Sequence, residues 1–336
     1  MIWYKEKNED DIIISTRIRL ARNLLKYPFP NAMTEQQVKT ALEEAESQIL
    51  STPLANNFKA YRIGDMSAVE KRMLYEKHLI SPDMLNKTNG AVMISQDDST
   101  SIMLMEEDHL RIQVILGGFK LDEAYKTADE TDNILDECMR FAFDEELGYL
   151  TSCPSNTGTG LRASVMMHLP ALTLTDNISK IITSASKLGI TVRGLYGEGS
   201  KAYGSLYQIS NQVTLGLSEN EIIEKVKNIV NQIATHEKDV RQKLRENNKD
   251  VLEDKLFRAY GTLRYARKIS SQEAKSLISD VILGENMGII QTVEQNLIEL
   301  MILTEPAFVE SIYQKTLTPD ERDIKRAELI RQVFDK

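Results

Sequence analysis

One stretch organises the predicted fold of this chain: Cys153-Pro154-Ser155-Asn156-Thr157-Gly158-Thr159-Gly160-Leu161-Arg162-Ala163-Ser164-Val165. It begins as a Pro- and Gly-rich loop, whose backbone can approach a ligand closely. Polar and apolar residues then alternate, which is typical of a strand. This strand would present Arg162 from a rigid base beside loop N–H groups, an arrangement that suits a phosphate. The thiol of Cys153 lies at the head of the loop, and an ordinary strand connection is the alternative interpretation.

Composition sets the class of protein. A chain of 336 residues makes one large or two medium domains, and 42% hydrophobic with 27% charged residues is typical of a soluble globular protein. The polar N-terminus does not resemble a signal peptide and no run of about twenty apolar residues occurs, so we expect a cytoplasmic protein without membrane contact. Two cysteines fit a reducing compartment. A net charge of −9 argues against direct nucleic-acid binding and leaves room for basic partners.

Further arginines stand in separate segments beside polar or glycine-rich sequence. Arg17 and Arg19 share one face of a predicted strand, and planar guanidinium groups match phosphate oxygens well. Arg111 follows the acidic run Glu106-Glu107-Asp108, and a solvated turn is the alternative interpretation of that run. Arg193 enters a second glycine-rich loop, which carries Glu198.

The periodicity predicts an α+β fold, with an antiparallel sheet flanked by helices. A capping box at Thr34 predicts a helix to about Leu50, and three strands between 91 and 116 predict a meander. A long helix is predicted from Leu121 to Leu147, ended by Gly148. Beyond Asn247 the pattern is helical throughout. We therefore expect a catalytic domain over 1–246 and an all-helical domain over 247–336.

The arginines, together with Glu107 and Glu198, point to phosphoryl transfer. The transition state of that reaction spreads negative charge over several oxygens, and positioned cations and Mg²⁺ stabilise this charge. A carboxylate must also accept the proton of the nucleophile. The P-loop and protein-kinase motifs do not occur in the sequence. The arginines would replace the lysine and loop amides that those folds use.

Four ordered motifs resemble the guanidino (phosphagen) kinases: 15–23 (Ser-Thr-Arg-Ile-Arg-Leu-Ala-Arg-Asn), 106–112, 153–164 and Arg193-Gly194. The resemblance extends from about 11 to 240. Segments 193–199 and 208–212, with the helical tail, resemble the bacterial protein arginine kinases more closely. The tail carries Arg322-Asp323-Ile324-Lys325-Arg326-Ala327, which is similar to the phosphoarginine-binding motif of that family.

The resemblance implies a role for each matching residue. Glu107 matches the carboxylate that deprotonates the guanidinium, Glu198 a second acid that grips it, and Cys153 a thiolate beside it. The cofactors would be ATP and Mg²⁺, with no metal site formed by the protein itself. The residues that would bind ATP form a larger set: Ser15, Thr16, Arg17, Ile18, Arg19, His78, Arg111, Arg162, Ala163, Ser164, Val165, Met166, Arg193, Gly194, Leu195, Tyr196, Gly197 and Glu198. The tail site for phosphoarginine would comprise Arg322, Asp323, Arg326 and Ala327.

The implied function is ATP-dependent phosphorylation of arginine side chains in proteins, which marks them for a stress response or degradation. The implied partners are protein substrates with exposed or unfolded arginines, the McsA activator, the ClpC–ClpP protease, the CtsR repressor and a second copy in a homodimer. Two positions depart from the small-molecule kinases, which have Asn where Met105 stands and Arg where Tyr196 stands. Only ten residues precede Asp11, so we expect a more open site than in those kinases.

Two alternatives remain at this stage. One is a kinase of free arginine or another small guanidino compound. The other is a phosphoarginine-binding adaptor whose kinase site is inactive. We expect His109, His168 and His236 to be hydrogen-bonded structural residues. We expect Cys138 to lie on a helix and to be buried in the protein core.

Overall fold

The computed structural model describes residues 2–6, 11–195, 202–291 and 294–335. The strands in these ranges are β1 (Ile13–Arg22), β2 (Phe58–Arg62), β3 (Ala91–Ser95), β4 (Thr100–Leu104), β5 (Leu110–Gly117), β6 (Phe143–Asp144), β7 (Gly148–Tyr149), β8 (Leu161–His168), β9 (Ile190–Gly194) and β10 (Leu206–Asn211). The helices are α1 (Glu35–Leu50), α2 (Ala68–Glu76), α3 (Leu121–Met139), α4 (Pro170–Leu174), α5 (Ile178–Lys187), α6 (Glu219–Asn247), α7 (Lys249–Tyr265), α8 (Ser271–Asn286), α9 (Leu297–Leu303), α10 (Pro306–Tyr313) and α11 (Pro319–Phe334). The predicted α+β class with a helical C-terminal region is confirmed.

Eight strands form one sheet in the order β2-β3-β4-β5-β1-β8-β10-β9, and β6 pairs with β7 in a separate hairpin. The predicted meander is confirmed, because β3, β4 and β5 pair antiparallel in sequence. β1 pairs antiparallel with β5 and places Ala21 opposite Arg111. Along β1 every side chain is buried except those of Arg17 and Arg19, which are partly exposed. The sheet thus brings the arginines of two motifs onto neighbouring strands.

Helix starts follow the sequence signals. Thr34 caps α1 and Thr318 caps α11, each through a capping box in which the side chain three residues later returns the bond. Ser270 accepts a hydrogen bond from the backbone N–H of Glu273 at the start of α8. In the parts of the chain that the structure describes, each helix is too short or too polar to cross a bilayer.

The predicted helix from Leu121 to Leu147 is wrong in its last third. α3 ends at Met139, and Arg140 takes a left-handed φ of 53°. The following chain pairs with the end of β1, because the N–H of Ala142 donates to the carbonyl of Asn23 at 2.7 Å. It then turns back as the β6–β7 hairpin, with Gly148 at φ 74° in the second strand. This long-range pairing overrides the local helical periodicity.

The described residues divide into two compact units that each combine several segments. The first lies within Met1–Trp3, Ser15–Ser164 and Ser210–Lys227, and the second within Tyr4–Ile14, Val165–Ile209 and Asn228–Lys336. One core of the first unit contains residues from β3, β4 and the segment before β3: Ile63, Leu79, Ile80, Met84, Val92, Ile94 and Met103. The domain division after residue 246 stays a prediction.

In the second unit, two buried polar side chains form hydrogen bonds within the protein. Glu237 accepts hydrogen bonds from the N–H groups of Ala171 and Leu172 at 3.0 and 2.9 Å, and from Nε of Arg241 at 2.9 Å. His168 is buried, and its Nε2 lies 2.7 Å from Oγ of Ser279. His168 and the buried His109 are structural as expected, whereas His236 is exposed.

We predict that His168 makes folding sensitive to acid. Burial, and then the charge of Arg241, lowers the pKa of His168 from 6.5 to about 3. Below pH 6.5 the unfolded chain therefore binds a proton that the folded chain does not, so stability falls as the pH falls, by about 1.4 kcal/mol per pH unit at this group. Urea unfolding should show a weaker loss between pH 7 and 5 in His168→Gln than in the unmodified protein. Equal pH slopes would contradict this role.

Candidate active site

Four arginines from three strands converge in the first unit. Arg17 and Arg19 project from β1, Arg111 from β5 and Arg162 from β8. Burial lowers the pKa of Arg19 below its usual range, and three nearby guanidinium groups lower that pKa further, those of Arg17, Arg111 and Arg162. Nε of Arg19 is buried and has no hydrogen-bond acceptor among the described residues. Like charges gathered around a buried donor favour an anion between them.

Arg111 connects this cluster to the acidic run that precedes β5. Its Nη1 donates to the carboxylate of buried Glu106 at 2.8 Å, and its Nη2 donates to Oε2 of Glu107 at 3.1 Å. The Glu107 side chain is 41% exposed, so an incoming group can reach it. Burial raises the pKa of Glu107, the charge of Arg111 lowers it, and neighbouring carboxylates raise it. A carboxylate with a raised pKa is a stronger base.

The turn that carries Glu107 has a strained start. Met105 adopts a φ of 59°, which is uncommon for a residue other than Gly, Asn or Asp. Its N–H donates to the carbonyl of His109 at 2.9 Å and so closes the turn. Such a conformation costs about 1–3 kcal/mol and persists only where the surroundings enforce it. Asn tolerates this conformation better than Met.

Asn23 and Asp108 hold the Glu107 turn against the central loop. Nδ2 of Asn23 donates to Oδ1 of Asp108 at 2.6 Å, and Oδ1 of Asn23 accepts from the N–H of His109 at 3.0 Å. Oδ1 of Asp108 also accepts from the N–H of Ser152 at 2.7 Å. Ser152 precedes Cys153, so one network positions both the carboxylate and the thiol. Both residues lie in the quoted motifs, but the sequence pattern did not predict that they are positioning groups.

The central loop is held by close backbone contacts. Gly158 has φ 115°, and a side chain there would meet the carbonyl oxygen of Thr214 at 2.3 Å. Gly160 has φ 62°, and a side chain there would meet the carbonyl oxygen of Ala21 at 2.6 Å. Glycine is therefore required at both positions. At the head of the loop, Sγ of Cys153 lies 3.0 Å from Oγ of Ser155.

The other predicted nucleotide-binding residues are distributed as follows. The side chains of Ile18, Ala163, Val165 and Met166 are buried, so only their backbone groups are available to a ligand. The hydroxyl of Thr16 donates to the carbonyl of Gly118 at 2.8 Å, and that of Ser164 donates to the carbonyl of Arg17 at 3.1 Å. Ser15 is buried in β1.

His78 lies at a left-handed backbone position after α2, with φ 64°. Its ring stacks on the indole of Trp3, with ring centroids 5.0 Å apart. Its carbonyl accepts from Nε2 of Gln113, the β5 residue opposite Arg19. His78 is thereby fixed to the strands that carry the arginines. Trp3 gave no signal in the sequence analysis.

The second glycine-rich loop is described only in part. Arg193 and Gly194 end β9 in the second unit, where Arg193 is exposed, and the N–H of Leu195 donates to the carbonyl of Leu206. Tyr196, Gly197 and Glu198 lie outside the described residues. Cys138 is exposed on α3, so its predicted core position is wrong.

The tail motif lies on α11. Arg322 donates to Oε1 of Glu310 at 2.8 Å and is partly exposed. Arg326 is buried, and its Nε and Nη1 donate to the carbonyls of Thr304 and Ile269 at 2.7 and 3.0 Å. Nη1 of Arg326 also donates to Oδ1 of Asp323 at 2.5 Å. Ala327 is buried beside them. Only one of the two arginines therefore reaches solvent.

Comparison with known proteins identifies the family. Residues 33–240 match the model described as "ATP:guanido phosphotransferase, C-terminal catalytic domain", and 249–336 match "Protein-arginine kinase McsB C-terminal domain". A protein-arginine kinase of Caldanaerobacter subterraneus subsp. tengcongensis is 47% identical over 331 residues, covering 98% of both chains. One of Bacillus subtilis is 46% identical over 334 residues, covering 98% of this chain and 92% of the relative.

Solved structures of two other kinases have a fold similar to that of this chain. A lombricine kinase has a TM-score of 0.60 at 23% identity, covering 68% of this chain and 67% of the other. The duplicated taurocyamine kinase from Schistosoma mansoni has a TM-score of 0.62 at 24% identity, covering 81% of this chain and 40% of the other. At this identity the likeness concerns the fold alone. The sequence relatives, with both family models, show that this chain belongs to the protein-arginine kinase family.

Proposed function

We propose that this protein transfers the γ-phosphoryl group of ATP to the guanidinium of arginine side chains in proteins. The observation that carries the proposal is the convergence of four guanidinium groups beside the Glu107 turn. Positive charge placed at the oxygens of the transferring group is the main source of catalysis in phosphoryl transfer. The names of the sequence relatives supply the acceptor, an arginine in a protein.

Nucleotide binding falls to the arginine cluster in this proposal. Arg17, Arg19, Arg111 and Arg162 would contact the phosphate oxygens, and the buried Nε of Arg19 is a donor that a phosphate oxygen can satisfy. Mg²⁺ would arrive with ATP and would offset part of the negative charge on its phosphate groups. His78, held by Trp3, would contact the nucleotide from outside the cluster.

In the reaction, a guanidinium nitrogen of the substrate forms a bond to the γ-phosphorus while the bond from that phosphorus to the bridging oxygen breaks, and ADP leaves. Glu107 accepts the proton that the nitrogen loses. The exposed carboxylate and its raised pKa suit that role. The Cys153 thiol lies on the loop that Asp108 holds to the Glu107 turn and would orient the guanidinium. Glu198 would be a second acid on the substrate.

We assign the remaining expectations to the same proposal. The catalytic domain would extend over 1–246 and the helical domain over 247–336, where two copies would meet as a homodimer. Phosphorylated arginines would mark proteins for degradation in the cytoplasm, with the McsA activator, the ClpC–ClpP protease and the CtsR repressor as partners. The family models, which end at 240 and begin at 249, support this division.

The tail would bind phosphoarginine, with unequal roles for its two arginines. Partly exposed Arg322 can exchange Glu310 for a phosphoryl group, whereas Arg326 ties α11 to the segments before α8 and after α9. Asp323, bonded to Arg326, would be oriented toward the guanidinium of the ligand. In place of a symmetric two-arginine clamp, partly exposed Arg322 would be the ligand and buried Arg326 a structural residue.

The acceptor is tested by incubating the protein with Mg²⁺-ATP and either free arginine or an unfolded arginine-containing protein. Mass spectrometry that preserves phosphoarginine should detect the product on the protein only. Phosphorylation of free arginine alone would favour the small-molecule kinase. Phosphoarginine binding without phosphoryl transfer to either substrate would favour the inactive adaptor.

We predict that Glu107→Gln lowers turnover at least about a hundredfold, because the amide keeps the shape and loses the basic carboxylate. ATP affinity, measured by calorimetry, should stay within a few-fold of the unmodified protein. Glu43→Gln, which changes an exposed glutamate on α1 outside the arginine cluster, is the control. Turnover near normal in Glu107→Gln would remove Glu107 from the role of base.

We predict that Arg322→Gln and Arg326→Gln separate binding from folding. The first should weaken phosphoarginine binding by the full-length protein about tenfold with an unchanged thermal midpoint, since a partly exposed ion pair contributes little to stability. The second should lower the thermal midpoint, because carbonyl groups of Thr304 and Ile269 lose a buried donor. Undiminished binding by Arg322→Gln would contradict the assignment.

A further inference from the structure

The β6–β7 hairpin stands directly beside the central loop. The N–H of Tyr149 donates to the carbonyl of Gly158 at 2.8 Å, and the N–H of Gly158 donates back at 3.3 Å. On its other side Gly158 closely approaches Thr214, whose hydroxyl donates to the carbonyls of Ser155 and Thr157 at 3.0 and 2.7 Å. The hairpin and the segment after β10 therefore flank the loop that begins at Cys153.

Both flanks expose large apolar side chains. Phe143 is 57% and Leu147 is 47% exposed on the hairpin, and Val213 is 42% and Leu215 is 50% exposed after β10. We name these four residues the apolar flank. Exposed apolar residues are ordinary singly, but a group of them around one loop marks an interaction surface.

The tip of the hairpin adds negative charge to this surface. Oδ1 of Asp144 accepts hydrogen bonds from the N–H groups of Glu146 and Leu147, each at 2.9 Å, and thereby fixes the turn. Glu145 and Glu146 are exposed beside it. The surface thus combines apolar side chains with a net negative charge, which complements a segment that carries both apolar residues and arginines.

Contacts to the Tyr149 ring hold the base of the hairpin, whereas its tip is exposed to solvent. The Phe143 ring packs edge-on against the Tyr149 ring, with centroids 5.2 Å apart. The Arg22 guanidinium lies 3.5 Å over the centroid of the Tyr149 ring. A preformed surface of this kind loses little conformational freedom when a ligand binds.

We propose that the apolar flank and the acidic hairpin tip form the docking surface for an unfolded, arginine-bearing segment of the substrate protein. This inference rests on the proposed function and assigns the surface where its protein substrate docks. Apolar side chains near the target arginine pack on the flank, and additional basic residues are attracted to Glu145 and Glu146. A folded protein buries its apolar side chains, and free arginine has none, so neither gains from this surface. Docking here thus selects unfolded chains at the site of transfer.

The test compares two substrates in two variants. The substrates are a reduced, carboxymethylated protein rich in arginine and a short polar peptide with one arginine. Leu147→Ser with Val213→Ser removes apolar contacts and leaves the edge-on pair of Phe143 and Tyr149 unchanged. We expect it to raise KM for the unfolded protein about tenfold, with kcat unchanged and with unchanged KM for the short peptide.

The second variant, Glu145→Lys with Glu146→Lys, should raise KM for the unfolded protein at low salt and less so at high salt, because salt screens exposed charges.

Leu50→Ser with Tyr61→Ser is the matched control for the apolar variant, since both side chains are exposed in the first unit on α1 and β2. This control should leave KM for both substrates unchanged.

Unchanged KM for the unfolded protein in both test variants would overturn the proposal. An equal rise for both substrates would also overturn it, because that result indicates a damaged site. Loss of self-association on gel filtration without a change in KM would assign the surface to a contact between copies of the chain. Failure of the unmodified protein to phosphorylate either substrate would overturn the proposed function itself, and the docking surface with it.

Discussion

The buried guanidinium of Arg22 is the interaction on which the first unit depends. It donates to the carboxylate of Asp132 on α3, with Nη2 and Oδ2 2.7 Å apart, and to the carbonyls of Ala21 and Thr159 at 2.9 and 3.0 Å. Its face covers the ring of Tyr149. One side chain therefore joins β1, α3, the central loop and the hairpin. Breaking such a buried pair leaves an uncompensated charge and costs about 3–5 kcal/mol.

The framework around Arg22 supports groups that are unfavourable on their own. Four like charges converge, and burial with mutual repulsion lowers the pKa of Arg19. Met105 takes a strained φ at the start of the Glu107 turn. Strain and repulsion of this kind concentrate at functional sites, where the ligand relieves them. The rigid strands and the Asn23–Asp108 network preserve this geometry before a ligand binds.

Sequence alone predicted what local patterns determine. The helix caps, the meander and the same-face pair Arg17 and Arg19 follow from short-range periodicity, and the structure agrees with each. The β6–β7 hairpin was predicted as helix, because the pairing of Ala142 with Asn23 joins residues far apart in sequence. The i,i+4 spacing of Arg322 and Arg326 suggested equivalent ligands. It could not reveal that carbonyls from two distant segments bury Arg326.

The central claim is that the arginine cluster is built for an anion at the expense of the ligand-free fold. The most direct measurement is the thermal midpoint and the ATP affinity of Arg19→Gln, with Arg258→Gln on α7 as the exposed control. Removing one of four converging charges should raise the midpoint without ligand and weaken ATP binding at least about tenfold. A lowered midpoint with unchanged ATP affinity would contradict the claim and would make Arg19 an ordinary structural residue.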